Sequence, residues 1–145
     1  YRLDETLQPA RAPLSVTYAF EAPDRLSYRV TGGVDTVIVG PTEYSRDGPG
    51  APWRSQALPP VQVPSFVWDG ARPVSPRAMG SVEQDGQALQ VASFYEDLDG
   101  VPVWFELAMD GRGLVEQASM RAQAHFMTHR YHDFDAPLTI DAPVG

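Results

Sequence analysis

The stretch "HFMTHRYHDFDAP", residues 125–137, holds all three histidines of the chain: His125, His129 and His132, with Met127 between the first two. Imidazoles together can hold zinc or copper, and a His/Met pair suits copper(I), which prefers soft ligands. Backbone geometry decides between these options. On a helix the three rings would share a face, since residues three and four apart are neighbours there. On a strand rising about 3.3 Å per residue, His125 and His129 stand roughly 13 Å apart and His132 points to the other side. Only His125 with Met127, or Met127 with His129, then remain as local pairs about 7 Å apart. Such a pair needs further ligands, and Met79, Met109 and Met120 are the methionines that could supply them.

No other group of residues makes a case for chemistry. "YEDLDG" gathers Glu96, Asp97 and Asp99 but lacks the spaced ligand series of a calcium loop. No Gly-x-Ser-x-Gly, His-Glu-x-x-His or phosphate-cradling glycine loop occurs. Cysteine is absent, which removes disulfides, thiolate ligands and thiol nucleophiles. With no nucleophile set beside a base, neither an enzyme nor a cofactor is expected. The net charge of −8 disfavours nucleic acid. All 11 basic residues are Arg, scattered along the chain.

The elements that must position these residues are mostly strands. In "PLSVTYAFEAPDRLSYRV", Val16, Tyr18 and Phe20 alternate with polar or small neighbours, and so do Leu26, Tyr28 and Val30 after the turn Ala22-Pro23-Asp24-Arg25. Two period-2 runs across a Pro-Asp turn make an antiparallel hairpin with one apolar face. "VDTVIVG" follows as a third strand. Further on, Asp85-Gly86, Asp99-Gly100 and Asp110-Gly111 punctuate the chain at hairpin spacing. Between them Val101, Val103, Phe105, Leu107 and Met109 form one face, with Trp104 and Glu106 opposite.

Two segments break the pattern. Residues 47–77 carry Pro49, Pro52, Pro59, Pro60, Pro64, Pro73 and Pro76, half of the chain's 14 prolines, and so cannot form a central strand. This is a long connection or lid, with a short helical turn expected near "PSFVWDG" and Trp53, Phe66 and Trp68 along it. From Leu114 to Ala136 there is neither Gly nor Pro, and Val115, Ala118, Ala122 and Phe126 trace a helical stripe. Propensity alone makes this segment a helix. At 145 residues the chain is one domain, without an apolar run long enough to span a membrane. "YRLDETLQ" has no basic start and apolar core, so it is not a signal peptide.

Taken in order, "VTYAFEAPDRLSYRV", "EYSRDGPGAPW" and "MRAQAHFMTHRYHDFDAPLTIDAP" resemble the lipoprotein-carrier superfamily. This group takes in the periplasmic lipoprotein carrier (LolA-like) and mycobacterial-type lipoproteins that bind acylated lipids. The likeness is nearest to small extracytoplasmic domains associated with copper-resistance membrane proteins. It implies a mainly β fold: a curved, incompletely closed antiparallel half-barrel over an apolar cavity, with short helices or loops as a lid. Residues 114–121 and 124–135 are then the last two strands, joined at Arg121-Ala122, and tertiary pairing overrides helix propensity. The family's leading helix has no counterpart here, which implies that the chain is part of a longer precursor.

The resemblance further implies an extracytoplasmic binding module for an apolar ligand such as an acyl chain, lipid or lipoprotein. That setting includes a membrane anchor or membrane-protein partner in the full-length form. The expected lining is Tyr18, Phe20, Leu26, Tyr28, Val30, Val103, Phe105 and Leu107, with Phe66 and Trp68 on the lid. The alternatives are a copper-handling domain using His125, Met127 and His129, and a sensory or interaction module of a membrane protein.

Overall fold

A computed structural model of the chain describes residues 1–8, 12–59, 68, 71–98, 100–123 and 125–143. Its described residues form eleven strands and no helix. They are β1 (Arg2–Gln8), β2 (Leu14–Glu21), β3 (Arg25–Val30), β4 (Asp35–Val39), β5 (Thr42–Arg46), β6 (Arg54–Ala57), β7 (Val74–Gln84), β8 (Gln87–Leu98), β9 (Val101–Met109), β10 (Val115–Ala122) and β11 (His125–His132). All belong to one open antiparallel sheet in the order β6-β5-β4-β3-β2-β1-β11-β10-β9-β8-β7. Two meanders, β1–β6 and β7–β11, are thus joined by the pairing of β1 with β11.

That pairing explains why the helical propensity of residues 114–136 fails. Leu3 faces Tyr131, Glu5 faces His129 and Leu7 faces Met127 across β1 and β11. Met127 in turn faces Met120 of β10, and His129 faces Ala118. Tyr131 and Met127 gain apolar neighbours, and His129 gains a buried partner in Glu5, which together outweigh the helix propensity. The turn between these strands falls after Ala122, two residues beyond the expected Arg121-Ala122 joint. β11 ends at His132, where Asp133 takes a positive φ of 54°.

Several expectations are refined. β1 lies in a stretch whose charged residues hid its alternation of Leu3, Glu5 and Leu7. The proline-rich segment includes β6 and the start of β7, which are the two edges of the sheet, where a missing N–H is tolerated. Pro76 sits at a register shift between Val74 and Arg77. The expected helical turn near residues 64–70 lies outside the described residues except for Trp68. Asp85-Gly86 is a two-residue primed turn, both residues having positive φ, 52° and 79°. Asp110-Gly111 works differently: buried Asp110 accepts from the N–H groups of Arg112 and Leu114 and organises a longer loop.

While a smaller buried cluster, Leu89, Val91 and Ala108, lies on the other side, the alternation gives the sheet a broad apolar inner face. Leu3, Phe94, Val103, Phe105, Leu107, Ala118 and Tyr131 form one buried cluster on it, and Phe20, Leu26 and Ile38 a second. Tyr1 and Tyr18 pack against both. Described parts of the 58–73 connection lie here too: Leu58 on the second cluster, Trp68 and Ala71 on the first. At the end where β1 begins, the C-terminal segment packs across. Phe134 meets Tyr1 at 6.2 Å between ring centroids, and the buried Ile140 donates its N–H to Glu21 Oε2 at 2.7 Å.

Candidate ligand-binding face

Every described residue expected to line the site falls on one face. On β2 and β3, Tyr18 pairs with Tyr28, Val16 with Val30 and Phe20 with Leu26, so Tyr18, Phe20, Leu26, Tyr28 and Val30 share a side. On β9, Val103, Phe105 and Leu107 share the same side through Phe94 of β8 and Ala118 of β10. Phe20, Leu26, Val103, Phe105 and Leu107 are buried, while Tyr18, Tyr28 and Val30 are half-buried. Phe105 stacks on Phe94 at 5.0 Å, and Tyr18 lies 5.7 Å from Tyr28. Side chains packed against one another occupy much of this face, so an incoming chain would have to part them or displace the connection.

Trp68 packs against the first buried cluster. Its ring meets Tyr131 edge-on at 5.4 Å, and the nearby Arg72 N–H donates to inward-facing Glu96 at 3.1 Å. Phe66 lies outside the described residues. Trp53 is placed elsewhere, with the Arg46 guanidinium 4.7 Å above its ring. Arg46 also holds the buried Asp35, in company with Arg29. Burial pushes the Asp35 carboxyl up, but hydrogen bonds from the two guanidinium groups outweigh this and hold it below the usual carboxylate range.

A polar centre lies within the apolar face, and sequence reasoning missed it. His129 Nε2 is 2.7 Å from Glu5 Oε2, and both residues are buried. A carboxylate only accepts, so the Nε2 atom carries the proton. His129 Nδ1 lies 2.9 Å from the Tyr131 hydroxyl, and the Tyr18 hydroxyl donates to Glu5 Oε1 at 3.5 Å. Burial, with the Glu5 charge and Tyr28 beside it, raises the Tyr18 phenol to about 12. Burial and the nearby Tyr1 and Glu5 raise that of Tyr131 further. The signal for Glu5 was its place between Leu3 and Leu7 at period 2.

This pairing redefines the histidine stretch. His129 is committed to Glu5 and Tyr131, His125 is exposed two strand positions beyond Met127, and His132 points to the opposite face near Asp4 and Asp133. The trio expected to be separated by a strand is separated. Among the described residues no three His, Asp or Glu side chains come together as a metal site. Of the unplaced methionines, Met120 lies directly across from Met127.

The described residues thus form an open eleven-stranded antiparallel sheet with an apolar inner face, on which Leu58, Trp68 and Ala71 pack. Solved structures agree. LprF from Mycobacterium bovis matches 100% of this chain and 90% of its own length, with a TM-score of 0.63 and 9% identity. The Mycobacterium tuberculosis lipoprotein LppX matches over 97% of this chain and 89% of its own, with a TM-score of 0.57 and 12% identity. At such identities the likeness is one of fold. No family model matches the sequence, and no curated protein does.

Proposed function

We propose that this chain is an extracytoplasmic binding module that takes an apolar ligand, an acyl chain or the lipid part of a lipoprotein, onto the inner face of its sheet. The observation that carries this is the run of apolar side chains from Ile38 through Phe20, Leu3 and Phe105 to Phe94, spanning both meanders of an open sheet. The similar fold of LppX, itself described as a lipoprotein, supports the envelope setting. Transfer of a methylene from water to such a face yields about 0.8 kcal/mol, so a long acyl chain is held without any covalent step. Ligand entry displaces Trp68 from Tyr131. Titration with a fluorescent fatty-acyl probe tests this: saturable binding, competed by unlabelled acyl lipid, is expected. Absence of uptake at any lipid concentration would refute it.

A second reading rests on one observation, the register that sets Met120 opposite Met127 with His125 next on the same face. Two thioethers and an imidazole suit copper(I). His129 takes no part in this arrangement, because its two nitrogens already face Glu5 and Tyr131.

A further inference from the structure

Seven large apolar residues are exposed among the described ones, and five of them, Leu14, Val74, Val101, Trp104 and Phe126, lie at one end of the sheet, the end where β1 finishes. Three of these belong to a single cross-strand row on the outer face. Val74 pairs with Tyr95, Tyr95 with Trp104, Trp104 with Arg121, Arg121 with Phe126, and Phe126 with Gln8. Six strands at about 4.8 Å spacing make this row roughly 24 Å long. Trp104 is 54% and Phe126 47% exposed, and the Tyr95 ring lies 5.2 Å from that of Trp104, tilted by 42°. Shallow depressions of about 220 and 290 Å³ lie on either side of Arg121, the first bordered by Trp104 and the second by Phe126.

The row is one residue deep. The next row inward on the same face is polar, with Arg77, Ser93, Glu106, Ser119 and Thr128 in register. A line of aromatic and aliphatic side chains backed by a polar line fits a planar boundary between an apolar and an aqueous medium better than the broad patch a protein partner would cover. Charge identifies the boundary further. Seven arginines are ion-paired to carboxylates, whereas Arg121 has no such pair among the described residues. Glu106, in the row behind, borders the same depression as Arg121, and the whole chain carries −8. An anionic surface would repel such a molecule, while a zwitterionic headgroup offers Arg121 a phosphate without net repulsion.

We propose that this row docks the protein on a phospholipid bilayer, with Trp104, Tyr95 and Phe126 at the headgroup level and Arg121 on a lipid phosphate. The docking is independent of whether the inner face holds a ligand. The C-terminal segment packs at the opposite end of the sheet.

Flotation with phosphatidylcholine vesicles tests this on the intact chain. The parent protein is expected to float, with no more than about a twofold change at high salt. The double variant Trp104→Ser/Phe126→Ser should float at least tenfold less, and Arg121→Gln severalfold less. Met79→Ser/Val82→Ser, exposed residues outside the row, should match the parent. All five positions are solvent-facing, and an unchanged unfolding midpoint verifies the fold. A parent that fails to float, floats only with anionic vesicles, or floats equally well as the double variant overturns the proposal. So does capture of a protein through this row without vesicle binding. Acyl-probe uptake measured without vesicles is read separately and does not depend on the row.

Discussion

Glu5 Oε2 and His129 Nε2 meet at 2.7 Å across the β1–β11 seam, which joins the first and last strands of the sheet. A charge-assisted hydrogen bond sits where the two meanders close on each other, inside an otherwise apolar face. Only one register of β1 against β11 brings these groups together. A slip by one residue would turn Glu5 and His129 to opposite faces. The pair therefore fixes how the halves align.

Removing one partner should be costly. His129→Ala leaves the buried Glu5 carboxylate with the long contact to Tyr18 alone, and a loss of about 1–3 kcal/mol in unfolding free energy is expected. Glu5→Gln keeps a hydrogen-bonding side chain and should cost less. Urea unfolding checks both, and equal stability of all three proteins would remove the pair from its structural role.

Alkaline titration should reveal the buried phenols. Tyr18 is raised to about 12 and Tyr131 is raised more, against about 10 in the unfolded chain. A raised pKa contributes stability in full below pH 10 and loses it as pH rises through the folded value. Absorbance at the phenolate band should show these two tyrosines ionising late, together with unfolding. Early ionisation of all six tyrosines would contradict their burial.

At acid pH the opposite sign applies. Arg29 and Arg46 hold Asp35 below the usual carboxylate range, and Arg2 and His132 do the same for Asp133. Stability from a lowered carboxylate is present above about pH 4 and is lost as pH falls through the folded value. Asp35→Asn should lower stability at neutral pH and flatten the fall below pH 4. A parallel acid profile would show that Asp35 is not responsible.

The stacked pair Phe94–Phe105 anchors the second meander. Phe105→Ala is expected to cost about 3–5 kcal/mol, the range for truncating a buried aromatic residue. Trp68→Asp combined with Phe66→Asp should instead leave the sheet folded and abolish acyl binding. His125→Ala with Met127→Ala should spare acyl binding and reduce copper(I) uptake.

The sequence showed strands most plainly where one side is buried and the other wet. β2, β3 and β9 have that alternation, and their inward residues fall on one face as expected. Edge strands β6 and β7 carry mostly exposed side chains, so no period marked them. β10 and β11 read locally as helix because Glu, Gln, Ala, Met and Arg are good helix formers, while β1, the partner of β11, lies at the other end of the sequence. The resemblance to lipoprotein carriers corrected that reading, and the β1–β11 register supplies its physical reason. Glu5 stayed hidden because a carboxylate at an inward position makes sense only beside His129, 124 residues away.

The central claim is that the inner face holds an apolar ligand. Native mass spectrometry of protein purified without detergent, then offered an acyl lipid and, separately, copper(I), tests it most directly. The account predicts an adduct of several hundred daltons, co-purified or taken up from the acyl lipid and lost on denaturation. A bare mass that refuses acyl lipid would contradict the account. If that bare mass then bound one copper(I), the Met120–Met127–His125 reading would replace it.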